Sequence, residues 1–185
     1  GWLEKSIARI KIIDRLEKAL QFVCDSRWNG EFSLVIGAHT AGWGDVDLVD
    51  GDQKAIYVDD RTHWTADIYD QSMFYEACLN LADMWNALGA RNRRAFWRQK
   101  ARQIQQNAAK WLWQEDKGFY RVHIHLDELE HDFDEDDMFA MGGNTQAIIS
   151  GLADEEKSLI STNEDRLDIK ALISDSTDGL IPKAQ

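Results

Sequence analysis

One proline in 185 residues, Pro182, constrains this chain more than any other feature. Ordinary usage near 5% would place about nine. Proline breaks helix interiors by removing an amide donor and clashing with the preceding turn. A chain that avoids it for 181 residues is open to long helices throughout, and apolar spacing locates them. Leu3, Ile7, Ile10, Ile13, Leu16, Leu20 and Val23 recur at three- and four-residue steps and predict an amphipathic helix over about 3–26. Phe74, Ala77, Cys78, Leu81, Ala82, Trp85 and Leu88 predict a second over 67–88. Asp67 and Asp70 fall in its first turn, where the helix dipole favours acids, and Gly89 follows its end. A third runs over 91–113 through Trp97, Ala101, Ile104, Ala108 and Trp111, and the short connector makes the two antiparallel neighbours. Trp85, Trp97 and Trp111 read as core on these stripes.

Between the helices the pattern changes. Phe32–Ile36 is a short extended run. Tyr120, Val122, Ile124 and Leu126 alternate with Phe119, Arg121, His123 and His125 as a brief strand. Asp127–Asp137 holds eight carboxylates in eleven residues. Gly142-Gly143-Asn144-Thr145 opens a further helix through Leu152, and a last helical stretch covers about 155–167. Residues 174–185 have no periodicity and read as an irregular tail. No βαβ alternation supports a parallel sheet, and no internal sequence repeat is evident. The expectation is an all-α single domain over residues 1–185, built of helical hairpins with short β segments in the loops.

Net charge is −12, from 33 acidic and 21 basic residues. Such a surface repels phosphate backbones and anionic bilayers, so no nucleic acid and no membrane are expected as partners. Cys24 and Cys78 sit in apolar helical patterns without metal or redox spacing and read as buried thiols. The sequence offers no signal peptide, transit peptide or transmembrane run to read, and the compartment stays open.

Function is concentrated in residues 37–70. The loop reads Gly42-Trp43-Gly44-Asp45-Val46-Asp47, then Asp59-Asp60-Arg61-Thr62-His63-Trp64, then Asp67-Ile68-Tyr69-Asp70 at the mouth of the second helix. Carboxylates, a histidine and indoles are costly to bury and unneeded for folding. Indole faces stack on pyranose C–H surfaces, and carboxylates grip hydroxyls and move protons. A carbohydrate-active site follows.

Gly-Trp-Gly-Asp after a helix, with Thr-His-Trp and Asp-Ile-Tyr-Asp-Gln-Ser-Met-Phe-Tyr opening the next, resembles the six-hairpin glycosidases. These are the (α/α)6-toroid glycoside hydrolases, including amylo-α-1,6-glucosidase-like, α-L-rhamnosidase-like and trehalase-like enzymes. Leu112–Tyr120, Phe133–Asp137 and Gly142–Ile148 look like their later turn, loop and inner helix, and the similarity spans about residues 3–168. The resemblance implies a ring of twelve helices with its active site at one end. Five or six fit here, so the chain is expected to be about half a ring, partnered by the remainder of the toroid or by a second copy.

Many of these enzymes invert at the anomeric carbon with a carboxylic acid and a water-activating carboxylate about 6.5–9.5 Å apart. Asp45 is the candidate general acid. Trp43 and Trp64 would dry the site and raise its pKa, although an Asp in such a turn can also cap its own backbone. Asp47 and Glu135 are the other catalytic candidates. In the resembling enzymes the base often comes from late in the ring, and the loop carrying Glu135 also reads as a solvated acidic segment. Trp43, His63, Trp64, Asp67 and Asp70 are the substrate-binding candidates, Asp67 and Asp70 doubling as helix caps. No cofactor and no metal are expected. Counted from Asp45, an EF-hand would need an oxygen ligand, Gly and Glu where Val49, Asp50 and Ile56 stand. His123 and His125 share a strand face and could bind zinc, but no third ligand is evident and strand packing is the expectation.

The leading expectation is hydrolysis of a neutral oligosaccharide or glycoside. A toroid phosphorylase would need a cationic phosphate pocket, for which the loop offers only Arg61 and Lys54. A non-catalytic sugar-binding or interaction module is the third possibility.

Overall fold

The structure, a computed structural model, describes residues 1–38, 62–128 and 134–161. A single 3-10 turn at Trp2–Glu4 leads into β1 (Ser6–Ile7) and β2 (Ile10–Lys11), and only then does α1 (Ile12–Ser26) begin. The helix expected from residue 3 therefore starts nine residues later. Ala8 and Arg9 both take left-handed φ, 49° and 66°, the backbone of a two-residue hairpin turn with Ile7 opposite Ile10. Their apolar side chains satisfy a helical period and a tight hairpin equally well.

β3 (Trp28–Asn29) and β4 (Leu34–Val35) form a second antiparallel hairpin, and β5 (Gly37–Ala38) follows. After the undescribed stretch, β6 (Trp64–Asp67) runs directly into α2 (Ile68–Ala87). Asp67 caps that helix by accepting the backbone N–H of Asp70 at 2.7 Å. At the far end Gly89 sits at φ 74°. Its N–H reaches Asn86 O at 3.0 Å, and Ala90 N–H reaches Trp85 O at 2.9 Å. These two bonds make a Schellman closure, and the left-handed residue is a glycine because it pays no Cβ penalty there. α3 (Arg91–Trp111) folds back along α2. Then come β7 (Trp113–Gln114), β8 (Phe119–Tyr120), β9 (His123–His125), α4 (Met141–Ser150) and α5 (Glu155–Ser161). The described chain is largely helical, with short antiparallel strands between helices.

α2 is the central helix. Phe74, Cys78, Leu81, Ala82 and Trp85 are buried on it, and Trp97, Ala101, Ile104 and Ala108 of α3 are fully buried. Alanines at 82, 101 and 108 let the helices approach closely. On its other side α2 meets α4, where Gly143 leaves room for Ile68: a Cβ there would lie 2.4 Å from Ile68 Cγ2. Cys24 and Cys78 are both free thiols, and burial pushes Cys78 up to about 12. Among the described residues no helix is long and apolar enough to cross a membrane.

The chain also contains a repeat that its sequence does not display. Trp28 faces Val35 and Asn29 faces Leu34; 85 residues later Trp113 faces Tyr120 and Gln114 faces Phe119. Ile36 N–H bonds Arg27 O at 2.8 Å, and Arg121 N–H bonds Leu112 O at 2.8 Å. Those bonds make Trp28–Val35 and Trp113–Tyr120 the non-hydrogen-bonded pairs of their hairpins, so the polar backbone groups of Val35 and Tyr120 point outward. Each pair of outward groups is taken by one buried amide. Gln71 of α2 accepts Val35 N–H at 2.9 Å and donates to Val35 O at 2.8 Å. Asn144 of α4 accepts Tyr120 N–H at 2.8 Å and donates to Tyr120 O at 2.9 Å. Two helix–hairpin units are thus each clamped to the helix that follows.

Candidate functional site

A three-stranded sheet joins the two units, in the order β5-β6-β9, with β6 central. Thr65 lies opposite His125, Ala66 opposite Ile124 and Asp67 opposite His123; on the other edge Gly37 faces Thr65 and Ala38 faces Trp64. Alternation along β6 and pairing across it gather Thr65, Asp67, His123 and His125 on one face. His63 joins them, its ring edge-on to His125 with centroids 5.2 Å apart. His63, Thr65, Asp67 and His123 are all buried. Folding alone would fill this face with valine and isoleucine. Polar groups concentrated in such a place point to a function.

The carboxylates around it are individually held. Asp127 accepts Trp64 N–H at 2.6 Å and lies 3.4 Å from His63 Nδ1. Glu135 Oε1 stands 3.1 Å from His125 Nε2 and 3.7 Å from His123 Nε2. The turn carrying Glu135 is pinned from the β7–β8 unit. Lys117 bonds Asp136 O and pairs with Asp137 at 2.7 Å, while Arg121 pairs with Asp136 at 3.1 Å.

At the mouth of α2, buried Asp67 and half-buried Asp70 form a carboxyl pair. Burial, then the neighbouring Asp70 charge, push Asp67 up to about 7, against the pull of backbone amides. Burial also raises Asp70. Asp70 Oδ2 presses on the β5 backbone so closely that a Cβ on Gly37 would lie 2.6 Å from it. Asp70 also lines an open cleft of about 600 Å³ together with Arg27, Ile36, Gly37, Ala38 and Met73. A carboxyl poised near neutrality can hold a proton or give it up at working pH, which is what acid–base chemistry asks of it.

The sequence-derived candidates are distributed as follows. Asp67 and Asp70 come together at the helix mouth. His63 and Glu135 both converge on His125, from opposite ends of the chain's site region. Trp64 does not join them: alternation sends it to the other sheet face, where the Arg27 guanidinium lies 4.8 Å from its ring centroid. Trp43, Asp45 and Asp47 lie outside the described residues. Sequence reasoning set His123 and His125 aside as packing and did not single out Asp127. The His-Ile-His alternation was the available signal, but the cluster arises only through register with β6.

Comparison with known proteins bears on the fold. A GH78 family rhamnosidase of Bacillus sp. GL1 is similar in structure, with a TM-score of 0.55 and 18% sequence identity. The match covers 81% of this chain and 14% of that chain. At that identity the likeness is one of fold. No family model matches the sequence, and no curated protein matches it. The likeness therefore reaches most of this chain and a small portion of the rhamnosidase chain.

Proposed function

We propose that this chain belongs to a glycoside hydrolase of the (α/α)6-toroid kind, acting on a neutral oligosaccharide or glycoside. The observation that carries it is the pairing of buried Asp67 with half-buried Asp70, which lines the open cleft at the mouth of the central helix. The rhamnosidase-like fold, the Gly-Trp-Gly-Asp loop and the excess of acidic over basic residues support it. Strands β5 and β6 pair at Ala38–Trp64, and Gly37 of β5 lies against Asp70.

In the proposed inverting reaction Asp45, protonated, donates to the leaving glycosidic oxygen. A second carboxylate takes a proton from the water that attacks the anomeric carbon from the opposite face. Asp47 and Glu135 are this chain's candidates for that second role. Asp70 and Asp67 bind sugar hydroxyls, and the indole of Trp43 stacks on the ring.

The test is sugar release from a glycoside panel by the longest natural form of the protein, beside its Asp45→Asn variant. Turnover that falls by about three orders of magnitude in a folded variant fits loss of general-acid catalysis. Undiminished turnover removes Asp45 from the role. Saturable sugar binding, read by indole fluorescence, with no turnover in either form would replace the hydrolase with a sugar-binding module. Turnover only in the presence of phosphate, with release of a sugar 1-phosphate, would make the enzyme a phosphorylase.

A further inference from the structure

We propose that His123, His125 and Glu135 form a binding site for a divalent transition-metal ion of the zinc type. This goes beyond the carbohydrate reading and does not rest on it; with Glu135 on the metal, Asp47 is left as the candidate for the water-activating role. Each of the three offers one donor atom, and these lie within 4.8 Å of one another; Glu135 Oε1 faces the Nε2 of both rings. The two nitrogen–oxygen separations are 3.7 and 3.1 Å. Zinc bonds imidazole nitrogen and carboxylate oxygen at about 2.0–2.2 Å, and tetrahedral angles at that radius set neighbouring donors about 3.3–3.6 Å apart. The observed pair of distances brackets that edge.

Three further features suit a metal better than an ion pair. Both imidazoles project from one face of β9, and pairing of β9 with β6 fixes that face. Both converge on the same carboxylate oxygen, whereas one carboxylate can neutralise only one imidazolium. The turn that presents Glu135 is itself held by Lys117 and Arg121, so the third ligand does not depend on a free loop.

His125 is shared with a second set, His63, His125 and Asp127, whose donors also lie within 4.8 Å of one another. In Asp127 that set has a carboxylate already accepting the Trp64 N–H. We therefore assign His63 and Asp127 to the shell around the site, where they orient the His125 ring. Two imidazoles and one carboxylate suit zinc, and three protein ligands leave a fourth position for water or substrate.

The experiment uses the full chain, stripped with a chelator and titrated with zinc against a chromophoric competitor. Cobalt then serves as a spectroscopic substitute. Wild type should bind one zinc per chain, and its cobalt form should show the intense visible bands of four-coordinate cobalt. Glu135→Gln and His125→Gln should each weaken binding by at least about 100-fold, the upper range for losing even an outer-shell partner. X-ray absorption on zinc-loaded wild type, which needs no variant to fold, should count two imidazoles among light-atom ligands. Absence of stoichiometric binding overturns the proposal. So does a count of one imidazole or none, or a loss caused by His63→Gln and not by Glu135→Gln.

Discussion

Replacing Gln71 by leucine should destabilise the protein through the backbone of another element. Leucine is close in volume and fits an apolar site, so packing changes little. What changes is Val35, whose N–H and C=O both lose their partner. Val35 occupies a non-hydrogen-bonded hairpin position, so β3 cannot take over either group, and Gln71 is fully buried, so water cannot. A buried polar group left without a partner costs about 1–3 kcal/mol. Two such groups cost about 2–6 kcal/mol, offset by about 1 kcal/mol or more from no longer desolvating the amide. The expected net loss is about 1–5 kcal/mol, centred near 3. Urea unfolding followed by far-UV circular dichroism should show the midpoint falling by about 1–2 M with its slope unchanged. Asn144→Leu should lose a similar amount by the same route at Tyr120. The two share no partner, so the double variant should be additive to within about 0.5 kcal/mol. A Gln71→Leu loss below about 0.5 kcal/mol would refute the assignment of Val35's backbone groups to this amide.

Asp67→Asn should flatten the pH dependence of stability. The folded carboxyl titrates near 7 and the unfolded one near 4, so between those values the native state holds the extra proton. Wild-type stability therefore falls as pH rises from about 4 to 7, and the variant should lose that slope in unfolding measured at pH 5 and pH 8. An unchanged slope would show that Asp67 is not the group responsible. Gly143→Ala should cost about 1–2 kcal/mol, because its Cβ would enter the space of buried Ile68 and overpacking outweighs the helix propensity gained. A melting temperature equal to or above that of wild type would contradict it.

Much of the helical frame was legible, and the reasons are local. α2 was bounded almost to the residue because Asp67 and Gly89 are chemically marked ends, a side-chain cap and a left-handed stop. The β1–β2 hairpin was illegible because Ala8 and Arg9 carry none of the usual turn chemistry, and Ile7, Ile10 and Ile13 continue a helical period across it. The repeat escaped notice for a different reason. Its two copies preserve backbone bonding and one tryptophan, Trp28 and Trp113, while changing the other side chains, Val35 to Tyr120 and Gln71 to Asn144 among them. In the candidate site, Asp67, Asp70 and His63 stood out because polar residues were packed at a helix mouth. His125 did not, since its place beside His63 and Glu135 depends on a register between Thr65 and His125, 60 residues apart in the chain.

The central position of β6 sets the order in which this molecule can assemble. Each helix–hairpin unit closes over short stretches of chain, from Ile12 to Ile36 and from Arg91 to Arg121, and local contacts form early. β6 can pair on both edges only once both units exist, so it is the seam that shuts last and opens first. The bonds across it, Leu126 N–H to Trp64 O and Ile68 N–H to Val122 O, mark where amide exchange should first reach the interior. His63 and His125, with Asp127 reaching back to Trp64, straddle that seam. Whatever occupies the polar face from both sides acts as a staple, and its binding energy becomes resistance of the two halves to parting.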